Sequence, residues 1–398
     1  MRAHPRVNPV PGVLALLAAA AWCGLPLVAS APNRLVSGQG LDLQELWAAV
    51  GWPVGLVLTC FAALVVTAWR PLPALQWACG GLALLLMPAL LWLAGAVAHA
   101  AAAQGGSALA TTSLASGFWV TTLVLGLMVA ESLQRGQAGA AWRAAAGALL
   151  LAFFAGLLAS GACDALSLFK EAANRADGLT TAVGRHLYIV LLALVLTLGL
   201  GLPLGWLARH RPAVGRALLQ VLNVLQTIPS IALFGLLMAP LAWLASTVPA
   251  LGRAGVSGVG LAPALLALTL YSLLPVVRAT WTGLAQLPPG VLQAARGMGM
   301  SAQQQLWRVE LPLALPVLLG GVRTAAVQAV GLAAVTALIG AGGLGAVIFE
   351  GLFSAAQDVV LLGVLPLVLL GAATSSVLQA LIQWAQRAAQ HPRETTHD

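Results

Sequence analysis

Across 398 residues the chain is 60% hydrophobic and 8% charged, where soluble domains carry roughly a quarter of charged residues. That balance excludes a soluble globular protein of this size and leaves lipid as the solvent. The formal charge of +8 comes from arginines standing singly between apolar runs, with Lys170 the only lysine; it marks membrane flanks and argues against nucleic acid, which is met by basic residues gathered on one face.

A crossing helix needs roughly 20 apolar residues. In chain order the candidate spans are 13–28, 51–69, 77–98, 118–133 and 144–160. A polar stretch at 164–185, with Lys170, Glu171, Arg175 and Asp177, interrupts the pattern. Five more spans follow at 186–207, 218–244, 259–279, 313–339 and 359–384. The predicted fold class is all-α, a polytopic membrane protein of about ten transmembrane helices. It divides into a 1–162 membrane region of about five helices, a 163–185 extracytoplasmic polar loop, a 186–385 core and a 386–398 cytoplasmic tail. The first region carries almost no polar residue inside its spans and no motif that assigns it a role.

Arginine sets the orientation. With the N-terminus inside, the inner segments hold Arg2, Arg6, Arg70, Arg135, Arg143, Arg209, Arg211, Arg216, Arg278, Arg296, Arg308, Arg387 and Arg393. The outer ones hold Arg34, Lys170, Arg175, Arg185 and Arg253. This bias exceeds two to one and puts both termini in the cytoplasm. Arg2 and Arg6, an apolar run and Val28-Ala29-Ser30 also fit a cleavable signal peptide. We read the segment as a retained helix, and cleavage would leave the downstream orientation unchanged. The four cysteines show no CxxC spacing and the six histidines are scattered, so neither a metal site nor a catalytic constellation is indicated.

Between the spans ending at 279 and beginning at 313 lies a patterned cytoplasmic segment. Pro288 and Pro289 permit a helix start, and Ala294-Ala295 favour helix. Gly299 breaks it, and Ser301 with Gln304 forms a capping-box pattern for a second helix. The outcome is a short helix beside the membrane, held at both ends, the form of a knob for a partner protein.

Gln293-Ala294-Ala295, three residues, Gly299, nine residues, then Val309-Glu310-Leu311-Pro312: this register resembles the EAA loop of bacterial ABC importer permeases (E-A-A, three residues, G, nine residues, I-x-L-P). Gln293 replaces the glutamate and Val309 the isoleucine. The resemblance assigns Gln293, Ala294, Ala295, Gly299, Leu311 and Pro312 to coupling with a cytoplasmic ATPase, against which Ala294-Ala295 would pack. The runs Gln226-Thr227-Ile228-Pro229-Ser230 and Thr336-Ala337-Leu338-Ile339-Gly340 look like those of permeases for glycine betaine, choline and related osmoprotectants. The likeness covers roughly 183–385. It implies a five-helix core of the methionine-importer type, dimeric with an identical or related second permease over two ATPase subunits. An extracytoplasmic binding protein would deliver the solute, and the site is the bacterial inner membrane. The additional N-terminal half resembles a longer subgroup of these permeases.

Gln226, Thr227, Ser230 and Gln328 are the pathway candidates, because polar side chains in a span face protein or water. Pro229 removes a backbone donor there. Gln226 and Ser230 share a helical face, with Thr227 about 100° round. Packing of hydrogen-bonded Thr and Ser between helices is the competing reading. Arg323 and Thr324 invite the same pathway reading, and for Arg323 snorkelling competes.

Two motifs mislead. Gly340-x-Gly342-x-x-Gly345 fits the dinucleotide fingerprint, yet a span precedes it and Glu350 and Asp358 come too early for the ribose acid. It reads instead as an extracytoplasmic hairpin turn with glycines at positive φ. A Walker A loop needs G-K-[ST], and Lys170 lies between Phe169 and Glu171, so ATP would be used by a partner subunit and the chain is no enzyme. With tyrosines only at Tyr188 and Tyr271, an aromatic cage for the quaternary ammonium is expected on the binding protein. The alternatives are an importer for another small solute such as an amino acid, and a secondary carrier, which would need inverted repeats and intramembrane carboxylates.

Overall fold

The computed structural model describes residues 9–33, 36, 38–69, 73–103, 110–136 and 139–390; Arg2, Arg6, Arg34, Arg70 and Arg393 lie outside the described residues. The chain forms two compact units, Met1–Asn174 and Arg175–Asp398.

In the first unit, Pro11 and Pro53 stand in the first turns of α1 (Val10–Gly24) and α3 (Trp52–Ala68), where a missing donor costs nothing. A full capping box, Asp42 with Glu45, opens the short α2 (Leu43–Val50). The longer helices are α4 (Pro73–Ala103), α5 (Ser116–Arg135) and α6 (Ala140–Ala159), followed by α7 (Ser167–Asn174). Ala18, Leu64, Leu90, Leu93 and Leu125 are fully buried. The apolar α6 buries none of its spanning residues, so lipid is its natural cover. A small antiparallel sheet departs from the purely helical expectation: β1 (Val28–Ala31) lies between β2 (Gln39–Gly40) and β3 (Thr111–Leu114). Val28-Ala29-Ser30, the cleavage-like motif, is thus the middle strand. Pro26 ahead of it keeps helix α1 from continuing, and a strand this short is invisible to hydropathy.

In the second unit, α8 (Ala176–His210), α12 (Leu261–Ala285), α15 (Leu311–Val335) and α17 (Gln357–Gln390) are the long elements. Helix α12 lies between α8 and α15. Small residues permit the approach: a Cβ on Gly205 would stand 2.5 Å from Thr280, and one on Gly321 would stand 2.7 Å from the Pro275 carbonyl. Ile189, Ala193, Phe234, Leu268, Ala329 and Ala333 form the core. Between the long elements run α9 (Pro212–Thr227), α10 (Ser230–Thr247), α11 (Pro249–Arg253), α13 (Pro289–Gly297), α14 (Ala302–Gln305) and α16 (Leu344–Phe353).

Among the described residues eight helices are long and apolar enough to cross a membrane. With α1 and α3, at 15 and 17 residues, they account for the ten expected spans. Two expectations need correction. The 218–244 span is two helices, because Ile228 and Pro229 take extended backbone; the residue before proline is pushed out of the α region. The 163–185 stretch is largely helical, not a loop: it holds α7 and the first turns of α8. Asp177 stands in the first turn of α8, where a carboxylate suits the helix dipole. Arg175 pairs with Glu350 at 2.5 Å, and the Arg185 Nε donates to the Ala341 carbonyl at 3.0 Å. Both tie this extension to the region of α16. Gly340, Gly342 and Gly343 have φ of +80°, +82° and +83°, and α16 follows them directly.

Candidate functional site

The segment from α13 to α15 is built from local signals. Pro289 opens α13, and Gly299 closes it at φ +77°. The Met300 N–H donates to the Ala295 carbonyl at 3.2 Å and the Gly299 N–H to the Arg296 carbonyl at 2.9 Å, the paired bonds of a Schellman C-terminus. Ser301 and Gln304 then exchange capping-box bonds at 3.3 and 2.9 Å to start α14. One π-helical turn, Leu306–Glu310, joins α14 to α15 without a break in the helix, and it falls just ahead of Pro312, whose missing N–H interrupts the regular α ladder there.

Leu292 and Leu311 dock this segment onto an apolar cluster of Leu284, Leu287, Ala314 and Leu318. Ala295 is 1% exposed. The expectation that Ala294 and Ala295 both pack against an ATPase therefore fails for Ala295, which its own chain buries; Gln293, Ala294 and Met298 form the outward face. Beneath it runs a polar chain. The Arg296 Nε donates to the Gln305 Oε1 at 3.4 Å, the Gln305 Nε2 donates to the Glu310 Oε1 at 2.9 Å, and the Arg209 guanidinium stands 3.9 Å from the Glu310 Oε2. Gln305 and Glu310 are buried, while Arg296 is exposed and Arg209 half-buried, so α13 is linked to the end of α8 through a chain whose middle is shielded from water. Sequence spacing gave no sign of this chain, because its members come together only in the fold.

The second feature is an open cavity of ≈ 460 Å³ between α9, α12 and α15. Of the four pathway candidates, Gln226 and Gln328 line it, along with Arg278, Thr282 and Thr324. Thr227 and Ser230 do not. Thr227 is exposed and its hydroxyl donates to the Val224 carbonyl at 2.7 Å; Ser230 begins α10 beyond the break, so Gln226 and Ser230 share no helical face. Gln226 also supports that break. Its Nε2 donates to the Tyr271 carbonyl at 2.8 Å, and the Tyr271 hydroxyl donates back to the Ile228 carbonyl, replacing a backbone bond that the proline interrupts. Arg323 is neither snorkelling nor lining the cavity: its guanidinium donates to Ser375 Oγ at 2.8 and 3.1 Å and to Gln379 Oε1 at 2.7 Å, joining α15 to α17. Arg278, read from sequence as an inner-loop charge, lies inside α12 and faces the cavity.

Comparison with known proteins covers both units. Residues 7–169 match the family described as ABC transporter permease YehY, N-terminal domain, and residues 198–390 match the binding-protein-dependent transport system inner membrane component. The osmoprotectant import permease protein OsmW of Salmonella typhimurium is 40% identical over 208 residues, 52% of this chain and 92% of that protein. The glycine betaine/carnitine/choline transport system permease protein OpuCB of Bacillus subtilis is 37% identical over 49% of this chain and 82% of its own length. Among solved structures, an inward-facing MetNI methionine ABC transporter covers 51% of this chain at 24% identity and a TM-score of 0.42. At 40% identity over nearly the full length of OsmW, this multi-pass membrane chain belongs to the family of osmoprotectant ABC importer permeases.

Proposed function

We propose that the chain carries glycine betaine, choline or a related quaternary ammonium osmoprotectant through the bacterial cytoplasmic membrane, paired with an identical or related second permease. A separate ATPase would dock on the outward face of α13, and an extracytoplasmic protein would bring the solute. The chain itself needs no cofactor, and its partner uses the ATP. The observation that carries this reading is the construction of α13: a nine-residue surface helix clamped by a proline start, a Schellman end and a capping box. A helix fixed so firmly at both ends transmits a push instead of absorbing it. The Arg296–Gln305–Glu310–Arg209 chain, buried at Gln305 and Glu310, gives that push a route to α8. When the ATPases close on ATP, α13 moves as a unit and the helices around the cavity switch between inward and outward access.

The test is reconstitution with a cytoplasmic ATPase and an extracytoplasmic binding protein from the same organism. The ATPase is expected to co-purify with the chain, and labelled glycine betaine or choline to accumulate in vesicles only with ATP and binding protein present. Accumulation driven by a proton gradient without ATP would overturn the reading in favour of a secondary carrier.

A further inference from the structure

The cavity between α9, α12 and α15 has an unusual lining for a quaternary ammonium. Arg278 is its only charged residue, and neither a carboxylate nor an aromatic ring lines it. A bare cation finds nothing there to replace its water, since cation–π faces and acids are the groups that do so. A lone guanidinium within a membrane-spanning helix is costly and marks function by default. Its hydrogen-bond partner is a neutral amide: Arg278 Nη2 donates to Asn223 Oδ1 at 3.3 Å. That contact holds one edge of the fork and leaves the remaining donors toward the cavity. The neighbouring hydroxyls do not compete as donors, because Thr282 and Thr324 donate to the Arg278 and Gly320 carbonyls of their own helices at 2.8 and 3.1 Å. Gln226 has committed its Nε2 to Tyr271. The strongest donor set facing the open volume is therefore the guanidinium, whose planar fork matches a carboxylate.

We infer that this cavity reads the carboxylate of a passing solute through Arg278, so the permease passes zwitterions of the glycine betaine kind in preference to choline, which has the same ammonium and no carboxylate. The inference rests on the importer reading above and narrows its solute class. In this open cavity, where Arg278 is exposed, the discrimination acts at contact range: the guanidinium fork pairs with the betaine carboxylate and repels choline, which offers it only positive charge. The discrimination thus comes after the binding protein, on this chain.

The experiment uses the whole complex in proteoliposomes. Initial uptake of labelled glycine betaine and of choline is measured, each at a concentration that saturates the binding protein. Wild type is expected to favour glycine betaine. Arg278→Gln should lower the betaine-to-choline ratio roughly tenfold or more, as loss of a charge-assisted bond implies, and Arg278→Lys should keep most of the ratio. Thr282→Glu, one turn along α12, places a carboxylate beside an intact Arg278 and should lower the ratio as well; it serves where Arg278→Gln does not assemble. An unchanged ratio in Arg278→Gln or Thr282→Glu, or a wild type that favours choline, overturns the inference and leaves the importer reading standing. A wild type that accumulates neither solute sinks the importer reading itself.

Discussion

Gly299 and Ala295 stand four residues apart in the same segment and are constrained for opposite reasons. At φ +77° and with no heavy atom within 4 Å of where its Cβ would be, Gly299 opposes a side chain through backbone conformation alone. Gly299→Ala is expected to cost about 1 kcal/mol, with Gly299→Asn tolerated better, because asparagine enters the left-handed region more easily. Uptake and ATPase co-purification should fall together in the alanine variant and recover in the asparagine one. Ala295, at 1% exposed, fails by burial: Ala295→Asp forces a carboxylate under α13. Membrane insertion should persist while ATPase co-purification is lost. A cysteine at Met298, which is 70% exposed, should cross-link to the ATPase. Normal co-purification with Ala295→Asp would show that α13 is not the docking element. The turn and the capping box were legible in the sequence because each depends on residues within four positions. The inward facing of Ala295 was not, since it follows from Leu292 and Leu311 reaching a cluster on α12 and α15. Arg278 was misread for a related reason: counting arginines for topology treats every arginine near a span end as a flank.

Among the elements, the α9–α10 break shows a limit of hydropathy. Residues 218–244 are uncharged and mostly apolar, so composition proposes one span; Pro229 marks the interruption, yet Pro240 in the same stretch stays inside α10 and shows that proline alone does not decide it. What stabilises the break comes from another helix, in the Gln226–Tyr271–Ile228 bonds. Tyr271→Phe removes the donor to the Ile228 carbonyl and leaves a partly buried acceptor unpaired, at about 1–3 kcal/mol. Thermal stability in detergent should fall by that order, and uptake should fall if the break shapes the cavity. Thiol labelling checks the lining directly. In a cysteine-free background, Gln226→Cys and Gln328→Cys should react with a water-soluble reagent in a nucleotide-dependent way. Ser230→Cys, outside the cavity lining, should not change with nucleotide. Equal, nucleotide-independent labelling at all three would remove this cavity from the pathway.

On the scale of the whole chain, the division into two units makes a claim about autonomy. OsmW is matched over 92% of its length by 52% of this chain, so such a permease has no room for a counterpart of Met1–Asn174. The second unit has its own core, drawn from α8, α10, α12 and α15. Its composition split was visible in the sequence, where polar residues concentrate after residue 163; the boundary itself was not, because the polar stretch became helix and the division falls between Asn174 and Arg175. Residues 175–398, begun with an added methionine, are therefore expected to insert and pair with the ATPase alone. Insertion must place the start of α8 outside. Arg209, Arg211 and Arg216 just beyond the far end of that hydrophobic stretch, against Arg175 and Arg185 before it, favour that direction. Uptake by the truncated chain, normalised to the amount in the membrane, would then report what the first unit adds. Retained uptake with altered dependence on osmotic strength or lipid composition would assign that unit to regulation at the bilayer, which its lipid-facing α6 suits. If the shortened chain inserts but binds no ATPase, the first unit is part of the folding core, and the autonomy argued from the OsmW match is wrong.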